Sequence, residues 1–345
     1  MDKSSARNCS KVASVIAAPY VFDLERTVDK CCALLDEAAA NGAELVVFPE
    51  TFLPMYPWWI WMGVDNVKRL ELYKRLLAQS VHLEGPALQR LCQRAKALGV
   101  YVVIGINELG GTTLYNSQVF IDETGQIAGC RRKLVPTGEE RTVWGRGDGS
   151  DLFVLETHLG RLGGLVCYEN TMALSRYVLY SMGEQVHVAN WPGSDFKSQP
   201  RDRTRVIDTI SRFIALEGQM FVISSSSCIG QDELEFYRQV DPTTDGKLDV
   251  GGGIAGIYSP FGDPVSEPII GVEGICYGEI DLERIAEAKH LIDCVGHYAR
   301  PDVAHVVFNA HKQRPIVTSP ATTRVQGFDE CAEAPSVLPT ENTVD

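Results

Sequence analysis

Three residues of this chain carry the functional groups that acyl transfer through a thioester requires. Cys167 follows an apolar segment at the point where a strand should give way to a helix. Glu50 ends the apolar run of residues 45–48, and Lys133 ends a polar strand. A thiol nucleophile, a carboxylate base and a cation, each at a strand end, are the parts of a covalent hydrolytic site. The pattern therefore predicts a hydrolytic enzyme.

Each of these residues, taken alone, also has an ordinary structural interpretation. A single cysteine in an apolar strand is usually a packed core residue. Glu50 could be a salt-bridge partner, and Lys133 could be an ordinary exposed strand residue. A cysteine–histidine pair is a competing catalytic arrangement, for which His187, on the strand after the Cys167 helix, is the nearest candidate. We expect His187 instead to pack or hydrogen-bond at the periphery of the site.

The elements that must position these residues indicate a layered α/β sheet. A strand at 14–18, a helix at 23–41 and a strand at 44–48 form one βαβ unit. A helix entered at 85–86 and a strand at 100–106 repeat the unit. Two parallel crossovers of this kind imply helices that cover the sheet.

The remainder of the chain predicts a mixed sheet in one domain, residues 1–318. The predicted elements are hairpins at 115–133 and 152–167, a helix at 172–182, a strand at 186–190, a helix at 203–218, a strand at 220–224, a last hairpin of 254–258 with 274–280, and a helix at 282–290. The polar, glycine-rich stretch 231–253 is expected to be a surface loop. Residues 319–345 have the composition of a disordered tail.

Composition narrows the classes of partner. The 45 acidic and 32 basic residues give a net charge of −13, which argues against nucleic acid and anionic membranes and is compatible with a small neutral substrate. The sequence has no 18-residue apolar stretch and no signal-peptide core at its start, so we predict a cytoplasmic location. Ten cysteines and seven histidines are dispersed without metal-ligand spacing, which predicts reduced thiols, no metal and no cofactor.

Five segments together resemble the nitrilase superfamily of carbon–nitrogen hydrolases, and within it the nitrilase branch. They are residues 48–52 (FPETF), 132–137 (RKLVPT) with Glu140 and Arg141, 144–150 (WGRGDGS), 163–170 (GGLVCYEN) and 296–302 (GHYARPD). The resemblance covers nearly everything from Val12 to Asp302. Many nitrilases have tryptophan after the nucleophile and histidine two residues before the lysine, where this chain has Tyr168 and Arg131.

The resemblance implies a four-layer α-β-β-α sandwich with mixed sheets and a catalytic triad of Glu50, Lys133 and Cys167. Glu140 matches a second family glutamate that orients the lysine or the attacking water. In the mechanism so implied, the thiolate attacks the nitrile carbon to form a thioimidate, ammonia leaves after water adds, and a second water cleaves the thioester. An unperturbed cysteine has a pKa of about 8.5, so it needs a base or a cation for this task.

Aromatic residues near these positions suggest the substrate class. Tyr56 and Trp59 follow Glu50 closely, Tyr168 flanks the cysteine, and Trp191 lies at a neighbouring strand end. A pocket walled by rings suits an aryl or arylalkyl nitrile, and the predicted substrate is an aryl, arylalkyl or aliphatic nitrile. The alternative is that Trp58, Trp59 and Trp61 form a contact in the core or with another subunit.

Three other functions stay open at this stage. Residues 185–192 are similar to segments of cyanide-degrading members, so hydrogen cyanide is a second possible substrate. An aliphatic amidase or carbamoylase would use the same triad on an amide. A catalytically silent interaction protein of the same fold is the non-enzyme alternative. The resemblance also implies a homo-oligomer, built from dimers that can extend into helical filaments, with contacts expected on the helix 172–182 and in the C-terminal region.

Overall fold

The computed structural model describes residues 9–194, 202–245 and 247–313. The strands are β1 (Cys9–Ile16), β2 (Leu45–Val47), β3 (Tyr101–Gly110), β4 (Thr113–Ile121), β5 (Ile127–Arg132), β6 (Leu155–Thr157), β7 (Gly160–Val166), β8 (Val186–Trp191), β9 (Phe221–Ser226), β10 (Ile254–Tyr258), β11 (Ile269–Ile270) and β12 (Gly274–Asp281). The α-helices are α1 (Leu24–Ala40), α2 (Asn66–Ala78), α3 (Pro86–Leu98), α4 (Ala173–Ser181), α5 (Arg203–Gly218), α6 (Gln231–Val240) and α7 (Glu283–Leu291).

These strands form two six-stranded mixed sheets. The first has the order β12-β1-β2-β3-β4-β5, and the second has the order β11-β10-β9-β8-β7-β6. The central strands β1, β2 and β3 are parallel to one another, as are β7, β8 and β9. Each sheet therefore has the carboxyl ends of its three parallel strands at one edge. Glu50 follows β2 at this edge of the first sheet, and Cys167 follows β7 at this edge of the second.

Apolar periodicity explains how the helices cover the sheets. Helix α1 buries Val28, Cys31, Leu35 and Ala38, one face at helical spacing, and the Asp23 side chain accepts a hydrogen bond from the third residue beyond it. Helices α1 and α3 pack on the outer face of the first sheet, while α5 packs on the outer face of the second. The inner faces of both sheets share one apolar core. The predicted four-layer α-β-β-α sandwich is thereby confirmed.

The chain between β9 and β12 differs from the sequence prediction. Residues 231–240 form helix α6, not a surface loop, because Leu234 and Tyr237 bury one apolar face among the aromatic residues near Trp58. The last predicted hairpin is also wrong: β10 pairs with β9 and β11 in the second sheet, whereas β12 pairs antiparallel with β1 in the first. The connection crosses between sheets, which strand periodicity alone does not reveal.

One helix is absent from the sequence prediction, and one predicted segment is untested. Helix α2, which follows the aromatic segment 56–61, was not predicted because its few buried residues, Leu72 and Leu76, give a weak apolar face. The expected tail at 319–345 lies outside the described residues, so the domain boundary at 318 stays a prediction. Among the described residues, no helix has the length and apolar composition that crossing a bilayer requires.

Candidate active site

Glu50 lies in the tight turn that follows β2. Its neighbour Thr51 has a φ of 41°, a left-handed conformation that is uncommon outside glycine. The turn packs directly on β3, where a Cβ at Gly105 would come within 2.4 Å of the Pro49 carbonyl oxygen and the Thr51 nitrogen. Only glycine therefore lets the carboxylate-bearing turn approach this strand, and the Glu50 side chain is left fully buried.

Lys133 follows β5 directly and reaches two carboxylates. Its backbone N–H donates to the Asn116 carbonyl on β4 at 2.8 Å, which continues the strand pairing to the lysine itself. Its Nζ lies 3.1 Å from Glu50 Oε1 and 2.7 Å from Glu140 Oε2. Because the lysine is buried, these two ion pairs are shielded from water.

Glu140 is held in place by three donors from three segments. It lies in a short 3-10 helix, Gly138–Thr142, and its Oε2 also accepts the Thr137 N–H at 2.7 Å. The Tyr56 hydroxyl donates to Oε1 at 2.7 Å, and that hydroxyl in turn accepts the Trp61 indole N–H at 3.0 Å. The aromatic segment after Glu50 is thus tied to the second glutamate, which fixes the position of the carboxylate beside Lys133.

Cys167 lies at the junction of β7 and a short 3-10 helix, Cys167–Thr171. It has a φ of 54°, and its side chain is buried. Ligand atoms of Glu50, Glu140 and Cys167 all lie within 4.8 Å of one another. A strained residue at a strand end, surrounded by ionisable groups, is typical of a nucleophile. The structure therefore brings together all four residues that the sequence predicted to be catalytic.

The two oxygen atoms of Glu50 have different surroundings. Oε1 accepts hydrogen bonds from Lys133 and from the Asn116 amide at 2.6 Å. Oε2 is buried and has no hydrogen-bond partner among the described residues. A buried acceptor without a partner is costly unless a proton or a ligand group satisfies it. Oε2 is therefore the oxygen that is free to take a proton from the neighbouring thiol.

Burial controls the ionisation of the site. It raises the pKa of Glu50 to about 7, an effect that the Lys133 charge and the Asn116 hydrogen bond only partly oppose. Burial and the Glu50 charge raise the pKa of the Cys167 thiol well above its ordinary value. Burial alone would lower the pKa of Lys133, but the Glu140 and Glu50 carboxylates raise it above its usual range. These directions favour a neutral thiol beside an ammonium group, with the Glu50 carboxylate placed to accept the thiol proton.

These ligand atoms could also hold a metal ion, but the surrounding charge disfavours one. Glu50, Glu140 and Cys167 offer two carboxylates and a sulfur at coordinating separations. The Lys133 ammonium, however, bonds to both carboxylates and occupies the position of a counter-cation. A metal bound there would face a buried positive charge, so the arrangement favours acid–base chemistry at the thiol.

A buried ion pair that sequence reasoning missed connects the lysine strand with the nucleophile turn. Arg131 and Glu169 form a bidentate pair with N–O distances of 2.9 and 3.1 Å. The same carboxylate accepts the backbone N–H groups of Leu134 and Val166, which adjoin Lys133 and Cys167 respectively. Glu169 lies in the recognised segment 163–170 and Arg131 is a noted departure from the family pattern, but nothing in their spacing indicated that they pair across the two sheets.

The four predicted substrate-binding residues lie in different surroundings. Trp191 packs in the same buried cluster as Cys167. The centroid of its ring lies 6.4 Å from that of Tyr168, and the two ring planes are nearly perpendicular. The buried Trp191 Nε1 has no partner among the described residues. Tyr56 bonds to Glu140, as described above. Trp59 packs on Phe22 at 5.4 Å in another cluster, which favours the alternative of a core role.

Comparison with known proteins gives matches along most of the chain. The family model described as carbon-nitrogen hydrolase matches residues 11–290. An aliphatic nitrilase of Rhodococcus rhodochrous is 41% identical over 319 residues, which are 91% of this chain and 87% of the relative. A nitrilase of Pseudomonas syringae pv. syringae is 39% identical over 90% of this chain and 93% of its own length.

A solved structure shows the same fold at lower identity. A carbon-nitrogen hydrolase from Helicobacter pylori G27 has a TM-score of 0.67 at 19% identity, over 86% of this chain and 97% of that chain.

Proposed function

This chain belongs to the carbon–nitrogen hydrolase family, on its nitrilase branch, and we propose that it hydrolyses nitriles to carboxylic acids and ammonia at Cys167. The observation that carries the assignment of the site is the buried cluster of one thiol, two carboxylates and one ammonium group. A covalent hydrolase needs a nucleophile, a base and a source of positive charge, and this cluster supplies each of them.

In the proposed reaction the sulfur attacks the nitrile carbon while Glu50 Oε2 takes the thiol proton. The nitrogen gains the proton that Glu50 took from the thiol while the Lys133 ammonium stabilises the developing negative charge, which gives a neutral thioimidate on Cys167. Addition of water produces a tetrahedral intermediate that expels ammonia and leaves a thioester. A second water, activated by a carboxylate, attacks the thioester and releases the acid, and one proton of this water passes through the carboxylate to sulfur. Removing one such electrostatic contact typically costs about 3–4 kcal/mol in the barrier.

We assign the roles within the cluster from its hydrogen bonds. Glu50 has the free oxygen and is the general base. Lys133 lies between both carboxylates and stabilises the negative charge that develops on nitrogen. Glu140 keeps the lysine charged and aimed, because its other oxygen is already held by Tyr56. Because one carboxylate acts as the base and the other positions the lysine, two carboxylates surround a single ammonium group.

We propose an aliphatic, aryl or arylalkyl nitrile as the substrate, bound against Tyr168 and Trp191. Trp191 belongs to the buried cluster that contains Cys167, Tyr168 packs against this cluster, and apolar ring faces suit an uncharged organic group. Curated relatives include an aliphatic nitrilase and an arylacetone-specific nitrilase, so both classes belong in the test. Cyanide, which has no organic group to contact these rings, is the alternative substrate.

The test is ammonia release from phenylacetonitrile, benzonitrile, an aliphatic dinitrile, cyanide and the matching amides. We expect nitrile turnover that disappears in Cys167→Ala and persists in Cys228→Ala, a matched change at another buried cysteine. Turnover of amides alone would assign the chain to amidase or carbamoylase chemistry. Inactivity on the whole panel, with Cys167 unreactive toward thiol reagents, would support the non-enzyme alternative.

We also propose a homo-oligomer of cytoplasmic location. Leu174 on α4 and Phe213 and Leu216 on α5 are between 50% and 68% exposed, and the two helices lie side by side on the outer layer. Apolar side chains so exposed on neighbouring helices suit a contact with a second copy. A charged replacement of Leu216 should reduce the molecular mass in light scattering, and an unchanged mass would remove this face from the proposal.

A further inference from the structure

A buried polar network lies directly behind the nucleophile turn and takes no part in the proposed reaction. It comprises Asn170 in the 3-10 helix after β7, His187 on β8, and Glu184 in the turn before β8. The His187 Nε2 lies 2.8 Å from Asn170 Oδ1, and its Nδ1 lies 2.9 Å from Glu184 Oε1. Both ring nitrogens are therefore occupied, and neither is hydrogen-bonded to the Cys167 sulfur.

The orientation of the Asn170 amide is fixed by its other contacts. Its Nδ2 lies 3.1 Å from the carbonyl oxygen of Leu165 and 3.0 Å from that of Cys167. Both are acceptors, so the NH₂ group must face them and the amide oxygen must face His187. Asn170 thus holds the carbonyl on each side of the turn that gives Cys167 its left-handed conformation.

This orientation determines the protons that the network must hold. An amide oxygen only accepts, so His187 Nε2 must carry a hydrogen and donate it. The Nδ1···Oε1 contact then requires a second proton, on either the imidazole or the Glu184 carboxyl. A neutral imidazole that donates from Nε2 and faces an ionised carboxylate would place two acceptors 2.9 Å apart. The pair therefore holds one proton between Nδ1 and Oε1.

The surroundings enclose this proton. The side chains of His187 and Glu184 are fully buried. A Cβ on Gly163 would lie 2.3 Å from Glu184 Oε1, so the glycine on β7 makes room for the carboxyl group behind the strand. On the side of α4, Arg176 donates to the Asn170 carbonyl and pairs with Glu217, and so its charge is already matched.

We propose that His187 and Glu184 form a proton-holding pair that positions Cys167 through Asn170, and that His187 is a positioning residue, not the catalytic base. The pair delivers one N–H to the amide oxygen, the amide fixes two carbonyl groups, and these carbonyl groups hold the nucleophile turn. The proposal rests on Cys167 as the nucleophile of the proposed function. A shift of about 1 Å at a nucleophile is enough to reduce a rate about a hundredfold.

Three variants separate positioning from catalysis. His187→Leu removes the donor to Asn170 and should lower kcat about 10-fold to 100-fold while KM changes less than about threefold. His187→Gln keeps an N–H donor in that direction and should recover most of kcat. Glu184→Gln can donate to Nδ1 of a neutral imidazole that keeps its Nε2 hydrogen, so we expect activity within about threefold of the unmodified protein.

Two readouts do not depend on turnover. In protein with ¹⁵N-labelled histidine, the His187 Nε2 should carry a hydrogen at about pH 7.5, as donation to the Asn170 amide oxygen requires. The rate of Cys167 alkylation by iodoacetamide should fall in His187→Leu and recover in His187→Gln. Thermal melting of each variant identifies any loss that is due to unfolding.

The outcomes distinguish this proposal from the proposed function. An Nε2 without hydrogen overturns the positioning pair even if nitriles are hydrolysed. Abolition of turnover in a folded His187→Gln variant also overturns it, because a base cannot be replaced by an amide. A protonated Nε2 with the expected alkylation rates supports the pair even if the substrate proves not to be a nitrile.

Discussion

The hydrogen bond from Asn116 to Glu50 gives a quantitative test of the general base. Asn116 Nδ2 lies 2.6 Å from Glu50 Oε1 and lowers the pKa of a carboxyl that burial raises to about 7. Hydrogen bonds to charged groups contribute about 1.5–3 kcal/mol, and one pKa unit corresponds to about 1.4 kcal/mol. Asn116→Leu, which removes the donor at similar volume, should therefore raise the pKa of Glu50 by at least about one unit.

The direction of the effect on activity follows from the role of the base. Glu50 must be ionised to take the thiol proton, so kcat/KM falls as the pH drops through its pKa. A rise from about 7 to about 8 reduces the ionised fraction at pH 7 from about one half to about one tenth. The variant should lose about fivefold in kcat/KM at pH 7 and much less on the alkaline plateau.

The assay is initial-rate ammonia release on a neutral nitrile between about pH 5 and about pH 9.5, with the acid limb fitted for each protein. Asn107→Leu is the matched control, because Asn107 is the cross-strand partner of Asn116 and bonds to the Leu53 and Met55 carbonyl groups, not to a carboxylate. The control should lose stability but keep the acid limb in place. An acid limb that does not move in Asn116→Leu would refute Glu50 as the titrating base.

Three further changes have expected outcomes. Tyr56→Phe removes a donor from Glu140 and should lower kcat about tenfold in the same assay; an unchanged kcat would contradict a role for this hydrogen bond. Glu169→Gln leaves the buried Arg131 charge without its partner and should cost about 3–5 kcal/mol in urea unfolding, whereas a loss below about 1 kcal/mol would contradict the account. Burial raises the pKa of Glu233 to about 8. The unfolded chain therefore loses this proton first as the pH rises above about 4.5, which lowers the stability of the folded state. Glu233→Gln should raise Tm at pH 8 but not at pH 4.5, and equal gains at both pH values would contradict this.

The strand ends that carry Glu50, Lys133 and Cys167 could be predicted because each follows a marked apolar or polar run in a recognisable motif. Helices α1, α3 and α5 could also be predicted, since each buries one face at regular spacing and begins or ends at a capping residue. What these features share is that their signals are local in the sequence.

Features that depend on contacts between distant segments could not be predicted. Helix α6 lacks a long apolar face and is stabilised where Leu234 and Tyr237 meet the aromatic segment near Trp58. The pairing of β12 with β1 joins two segments that lie far apart in the sequence. The contacts of Asn116 and of the Arg131–Glu169 pair likewise exist only once the strands are in register, so local sequence signals do not reveal them.

The identity of the residue that carries the acyl intermediate directly tests the assignment of Cys167 as the nucleophile. Protein mixed with a nitrile substrate would be quenched in acid during the first turnovers and its peptides examined by mass spectrometry. We predict a substrate-derived acyl group on Cys167, removable by hydroxylamine as expected for a thioester, and no such group in Cys167→Ala. Sustained ammonia release from Cys167→Ala, or an acyl group on another residue, would contradict the account.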